Sequence, residues 1–403
     1  MDEDGIRRIA AWLVSAGLSG DSEMELLRGF AERCRGAGLR LTRAVALIDT
    51  LHPMYEGRAF RWRSDGVQEE AVVEYGPSDQ GEAAAAWQRT AFYHLYATGA
   101  EEVRRRIGFG EPADFRFLPE LKDAGHTDYV AMLQRFAPGG VIGEMDAFYS
   151  HWSTDHPQGF RDADLTALRR LVPQLALAIK CASVTRIAGT LVDVYLGPDA
   201  GRRVLGGRIA RGVAETINAV LWFSDLRAYT AITDSAPPGE VIPLLNDYAG
   251  VVINSVRDAG GDVLKLLGDG TLAIFKSDDP GAACRRALDA EARLRAEVAD
   301  LNVRRAADGR PVTSVYLGLH IGDVFYGNIG SADRLDFTVV GPAVNEVSRI
   351  ALMCRSIDRA VLLSSDFVAA AGERERPRFV SVGRYALRGV GHARELFTLD
   401  PDL

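Results

Sequence analysis

The chain has 403 residues, of which 47% are hydrophobic and 25% charged, and its formal net charge is −8. That length suggests two or three domains with real cores. An acidic balance without a long basic block excludes non-specific nucleic-acid binding as the main role, though not a nucleotide substrate met through metal ions. Cys34, Cys181, Cys284 and Cys354 stand apart with no C-x-x-C spacing, so zinc or thioredoxin-like chemistry has little support and a reducing compartment is expected. The N-terminus opens acidic, unlike a secretory signal. No stretch is expected to supply the ~20 apolar residues of a membrane helix. A cytoplasmic protein without membrane insertion is the expectation.

Three regions follow in chain order. Residues 1–162 open with helical spacing over 5–35, in Ile6, Ile9, Trp12, Leu13, Leu26, Leu27 and Phe30. Strand candidates come next at 43–48, 59–63, 71–75, 129–133 and 144–152, an α+β pattern. Residues 163–212 read as a helix and linker. Leu165, Leu168, Leu171, Leu175 and Ile179 form one stripe that suits either a two-helix seam or packing on its own domain. Pro173 should kink this helix or start a new one. "GPDAGRRVLGGR" should break the pattern, and without a following Lys-Ser/Thr it is not a phosphate loop.

Residues 213–403 alternate strands and helices. "AVLWFSD" ends in Asp225, and an amphipathic helix follows over 239–260. "DVLKLLGDGTLAIF" reads as a β-hairpin with Asp269 between two glycines at its tip and Lys265 four residues earlier. A helix, a strand with a turn in "SVYLGLHIGDVFYGNIG", and the helix "GPAVNEVSRIALMC" complete a β-α-β-β-α-β order, which matches a ferredoxin-like palm. In such a palm the first strand and the hairpin are neighbours, so Asp225 and Asp269 would meet at one edge of the sheet. Two facing carboxylates repel, and a pair of Mg²⁺ ions about 4 Å apart would relieve this and clamp a phosphoryl transfer. Taken singly, each aspartate is also an ordinary cap or turn residue. Asn345 and Arg349, four apart, share a helix face. An arginine there could neutralise a pentavalent phosphate and an asparagine could hold a sugar oxygen, or the pair could be a plain polar face.

"FSDLRAYT", "VLKLLGDGTLAIF" and "DFTVVGPAVNEVSRI", in this order, resemble the class III adenylate/guanylate cyclase catalytic domain. The resemblance implies that Asp225, Leu226 and Asp269 bind two Mg²⁺ or Mn²⁺ ions per site. It implies that Lys265 and Thr338 select the purine, that Asn345 positions ribose and that Arg349 stabilises the transition state. It places a triphosphate-binding base at Arg388 in "YALRGVGHARELFTL". It further implies a head-to-tail homodimer, each site taking Asp225 and Asp269 from one protomer and Lys265, Thr338, Asn345 and Arg349 from the other. Lysine donates and threonine accepts, which suits adenine N1 and N6 and leaves guanine's donors unmatched. ATP is therefore the expected substrate, converted to 3′,5′-cyclic AMP and pyrophosphate. Tyr316 stands where many members carry a triphosphate-binding arginine, which predicts weaker ATP affinity.

More weakly, "HWSTDHPQGFRDADLTALRRLVPQLALAI" resembles the end of a GAF-type sensor domain, implying a regulatory α+β domain with an unread small-molecule or protein signal. His94 lies between aromatics in "TAFYHLYATG" and reads better as packed than as a haem ligand. The rivals are a guanylate or diguanylate cyclase and a catalytically silent nucleotide-binding regulator.

Overall fold

The structure, a computed structural model, describes residues 1–66, 70–137, 142–143 and 145–400. Residue 144, the first of one expected strand, lies outside them. Two compact units divide the chain at Leu191 and Val192.

In the first unit the expected helix at 5–35 is two helices, α1 (Glu3–Ser19) and α2 (Glu23–Gly36). Gly20 ends α1 at a φ of 80°, a left-handed cap that glycine takes without strain. Ser22 and Glu25 then start α2 with a reciprocal capping box. Strands β1 (Arg43–Asp49), β2 (Gly57–Arg63) and β3 (Val72–Tyr75) follow, then α3 (Gly81–Gln88), α4 (Ala91–Thr98), β4 (Glu102–Arg105), α5 (Leu118–Asp123), β5 (Asp128–Arg135) and β6 (Ala147–Thr154). They form one antiparallel sheet in the order β3-β2-β1-β6-β5-β4. Because side chains alternate along a strand, Ala44, Ala46, Phe60, Trp62, Val130, Phe148 and Trp152 fall on one face and pack with α1, α2 and the next helix. The other face carries Tyr129, Leu133 and Tyr149 against Phe92 and Leu95 of α4 and Leu118 of α5. His94 rests with its ring 5.6 Å from that of Phe115.

Helix α6 runs without interruption over Asp162–Leu196. Pro173 lies inside it, so the expected break at that residue does not occur. The expectation that no stretch is apolar enough to cross a membrane is also corrected, since α6 is long and apolar enough by length and composition. Its apolar stripe is accounted for by packing: Leu165, Leu168, Leu171, Val172, Leu175 and Ile179 are all buried in the first unit's core.

The second unit begins with a short helix, α7 (Pro198–Leu205), where the glycines had suggested a break. Asp199, at its start, accepts from Lys276 at 2.6 Å and from the Tyr326 hydroxyl at 2.8 Å, which ties α7 to the sheet. The order continues β7 (Ala214–Leu226), α8 (Tyr229–Ser235), α9 (Pro238–Asp258), β8 (Asp262–Leu267), β9 (Gly270–Lys276), α10 (Pro280–Ala307) and β10 (Val315–Gly330). Then come β11 (Leu335–Val340), α11 (Pro342–Ile357), β12 (Val361–Ser364), α12 (Ser365–Ala371), β13 (Phe379–Tyr385) and β14 (Arg394–Leu399). The eight-stranded sheet runs β13-β14-β12-β10-β7-β9-β8, with β11 paired to β10. Its β10-β7-β9-β8 part has the antiparallel order of a ferredoxin-like palm. The expected turn within "SVYLGLHIGDVFYGNIG" is absent, because β10 is one strand of 16 residues. Helices α9, α10 and α12 cover one face, and α11 and α7 the other.

Candidate active site

Asp225 and Asp269 come together at one end of the palm. Asp225 is the second-last residue of β7, and Asp269 follows Gly268 in the two-residue turn that joins Leu267 of β8 to Gly270 of β9. Gly268 has φ 67°, the left-handed value that a tight hairpin needs at its first turn position and that glycine supplies freely. Gly270 permits the close approach: a Cβ there would lie 3.2 Å from the Ser224 carbonyl oxygen and 3.6 Å from Asp225 Oδ1. Half-burial, then the hydrogen bond and charge of Asp269, raise the Asp225 carboxyl to about 7. Two carboxyl groups forced to share a proton are a donor set a divalent cation would fit. Leu226 has a buried side chain, and its backbone amide donates to Asp225, so only its carbonyl could serve as a ligand.

The next two residues add features that the sequence reading missed. The Arg227 guanidinium stacks 5.6 Å from the ring of Tyr316, and Tyr316 is paired with Asp225 across β7 and β10. A positive charge thus lies beside Tyr316. Ala228 takes φ 55°, a left-handed conformation costly for a residue with a Cβ and of the kind stored at functional sites.

Lys265 lies on β8 beside a register irregularity between Val263 and Lys265. Its ammonium bonds the Asp336 carboxylate of β11. Asp336 stands two residues before Thr338, on the same face of that strand by alternation. Thr338 is buried and pairs with Gly327. The spacing Asp-x-Thr on one strand was the available signal for Asp336.

Asn345 and Arg349 lie one turn apart on α11. The helix sits directly on the sheet because Gly318 of β10 has no side chain; a Cβ there would be 2.7 Å from the Ala351 amide nitrogen. Gly389 packs near Arg349, with a Cβ position 3.7 Å from its Nη2, so the loop bearing exposed Arg388 lies over the arginine. Among the described residues, no side-chain hydrogen bond or ion pair engages Asn345, Arg349 or Arg388.

The structure does not bring all of these residues to one place along the sheet. Asp225 faces Tyr316, and Thr338 faces Gly327, eleven positions further along β10, a contour of about 36 Å at ~3.3 Å per residue.

A second cluster, His320, Glu346 and Asp366, also has metal-ligand character. It already holds a cation. Arg394 Nε stands 2.9 Å from Glu346 and its Nη1 3.8 Å from Asp366, while His320 Nδ1 lies 2.8 Å from the Ser364 hydroxyl.

Residues 213–400 match the family model of the adenylate and guanylate cyclase catalytic domain. An adenylate cyclase of Anabaena cylindrica is 31% identical over 157 residues, which is 39% of this chain and 31% of that protein. An uncharacterized protein of Mycobacterium tuberculosis is 33% identical over 206 residues, 51% of this chain and 34% of that one. The chain thus spans about a third of the length of these curated relatives. Among solved structures, a bacterial light-regulated adenylyl cyclase aligns at 19% identity and TM-score 0.48 over 64% of this chain and 84% of its own. A guanylyl cyclase aligns at 24% identity and TM-score 0.41 over 47% of this chain and 95% of its own. With its motifs at these strand ends and its match across 213–400, the C-terminal half of the chain belongs to the class III adenylate/guanylate cyclase catalytic domains.

Proposed function

We propose that the protein is an adenylate cyclase, acting in the cytoplasm as a homodimer under the control of a GAF-like N-terminal sensor domain. The observation that carries the catalytic reading is the facing pair of half-buried Asp225, at the end of β7, and Asp269, at the tip of a glycine-flanked hairpin. Mg²⁺ or Mn²⁺, two per site on these carboxylates and the Leu226 carbonyl, would supply the charge that steadies the attacking and leaving oxygens. The ribose 3′-oxygen attacks the α-phosphorus, the bond to the bridging oxygen breaks, and pyrophosphate leaves.

The remaining chemistry belongs to side chains. Asn345 holds the ribose so that its 3′-oxygen is in line, and Arg349 neutralises charge that grows on the α-phosphoryl oxygens. Arg388 and Arg227 answer the triphosphate, the latter standing in where Tyr316 replaces an arginine. Lys265 donates to adenine N1 and Thr338 accepts from N6. Asp336 holds the lysine beside the threonine's strand. The separation of Asp225 from Thr338 along β10 supports sites completed across a two-fold dimer, with metal-binding carboxylates from one protomer and base-reading residues from its partner. The four free cysteines fit a reducing compartment.

The test is product formation by the full chain from Mg–ATP and Mg–GTP, in parallel with Lys265→Glu. Cyclic AMP should dominate, and the variant should lose ATP turnover by roughly tenfold or more as a carboxylate faces adenine N1. Preferential cyclic GMP formation would overturn the substrate, and absence of any cyclic nucleotide would leave a silent nucleotide-binding regulator.

A further inference from the structure

The first unit contains a cavity of about 1090 Å³ between its sheet and helices α3 to α5. It lies on the sheet face opposite the main core. Strand alternation places Arg43, Val45, Leu47 and Asp49 on this face of β1, and Arg61 and His151 opposite Val45 on the two neighbouring strands. The face is unusual in its polarity. Arg43, Arg61, Arg63, His126 and His151 gather at one end, while Asp49, Glu56 and Asp146 lie toward the other. Along β1, Arg43 and Asp49 are six residues apart, a distance of about 20 Å at ~3.3 Å per residue.

The two ends differ in how their polar atoms are answered. At the acidic end, the Tyr75 hydroxyl donates to Asp49 at 2.7 Å, and the Ser78 hydroxyl donates to Glu56 at 2.9 Å. At the basic end, His126 and His151 are 6% and 7% exposed, and among the described residues the Nδ1 of each has no hydrogen-bond partner. Buried polar atoms without partners are uncommon and costly. Burial holds both imidazoles below their ordinary value. Beside the histidines runs an aromatic wall. The Tyr129 ring is 5.1 Å and the Phe92 ring 6.1 Å from His151, and Tyr149 packs 5.6 Å from both Phe92 and Trp87.

We propose that this cavity binds a small organic anion with an aromatic body, its carboxylate or phosphate received by Arg61, His126 and His151 and its rings by Trp87, Phe92 and Tyr149. A compact anion alone would leave the aromatic wall unused, and an uncharged ring system would leave the buried imidazole nitrogens unanswered. The ligand's acidic group belongs at the two histidine nitrogens, beside which Arg61 adds positive charge. This inference stands apart from the catalytic reading, since it concerns only residues before α6.

The test uses the full chain and two fluorescent probes of nearly the same shape. One is 8-anilinonaphthalene-1-sulfonate, an aromatic anion, and the other is N-phenyl-1-naphthylamine, which lacks the charge. The anion should bind one per chain and at least tenfold more tightly than the neutral probe. Arg61→Gln and, separately, His151→Phe should abolish that preference while leaving neutral-probe affinity unchanged. Displacement by 1-naphthoate against 1-naphthyl phosphate then tells a carboxylate site from a phosphate site. Equal affinity of the two probes for the unmodified chain would overturn the proposal without recourse to any variant. A charge preference that survives in both folded variants would overturn it too.

Discussion

The two sheets of this protein use their side chains in opposite ways. In the second unit the two candidate metal-binding carboxylates stand at a strand end and a turn: Asp225 closes β7 and Asp269 tips a hairpin. In the first unit Arg61 and His151 stand mid-strand, on the face of a sheet that looks into a cavity, with His126 just before β5. A site built at ends is contiguous in sequence, because a turn needs its glycines next to its carboxylate. A site built on a face takes every second residue from several strands, and no short stretch contains it.

That difference explains what could be read. The glycine pair around Asp269 and the apolar run before Asp225 disclosed the hairpin, the palm order and the facing carboxylates. Strands at 43–48, 59–63, 71–75 and 129–133 were legible by the same alternation that hides their function. Arg61 and His151 lie 16 and 106 residues beyond Val45 in no shared motif; only antiparallel pairing puts them beside it. The Lys265–Asp336 pair escaped for a similar reason, since 71 residues separate its members. Pro173 and the glycines of 197–207 misled because local propensity was overridden: α6 is held through its proline by core packing, and α7 by Asp199 on Lys276 and Tyr326. Glycines mattered more for what they admit, as Gly318 shows beneath α11.

The contrast is most sharply tested where the effect is largest. Asp269→Ala should reduce cyclase turnover by roughly a thousandfold or more, since it removes charge stabilisation of several kcal/mol at about 1.4 kcal/mol per tenfold. Probe binding in the first unit should be untouched. Turnover within tenfold of the parent at saturating Mg²⁺ would mean that the hairpin tip is structural only.

Next in size is complementation. Asp225→Ala and Arg349→Ala homodimers should each be inactive, but a mixed dimer has one site with both defects and one with none. Co-expression should restore activity to as much as half the parent value per mixed dimer. Dimer mixing must be verified in the same sample. Mixed dimers that form and stay inactive would place a whole site within each protomer.

A smaller effect should separate the two cores. Gly318→Ala puts a methyl 2.7 Å from the Ala351 amide and 2.8 Å from the Val347 carbonyl oxygen, so α11 must lift. The expected cost is about 1–3 kcal/mol, the usual price of overpacking. In calorimetry it should lower a transition of the second unit and leave that of the first in place, with turnover reduced because Asn345 and Arg349 ride on the displaced helix. Equal lowering of every transition would show that the two cores unfold as one.

The smallest effect is a difference in sign with pH, measured on metal-free protein. Burial and the neighbouring Asp269 carboxyl raise Asp225 to about 7 in the folded state, against about 3.9 when unfolded. The folded chain then holds that proton more tightly, so the stability it contributes is complete below about pH 4 and is lost as pH rises through about 7. His151 runs the other way. Burial first, then the charges of Arg43, His126 and Arg61, lower its imidazole to about 3, against about 6.5 when unfolded. Its contribution is present above about pH 6.5 and lost as pH falls toward 3. The melting temperature of the second unit should therefore decline on the alkaline side by a few degrees, and Asp225→Asn should flatten that decline. The first unit should decline on the acidic side, and His151→Phe should flatten it. An aromatic anion bound at the basic end would stabilise a charged imidazole and soften the acidic arm further. Identical pH slopes for parent and variant in either unit would show that the buried group in question does not govern that arm.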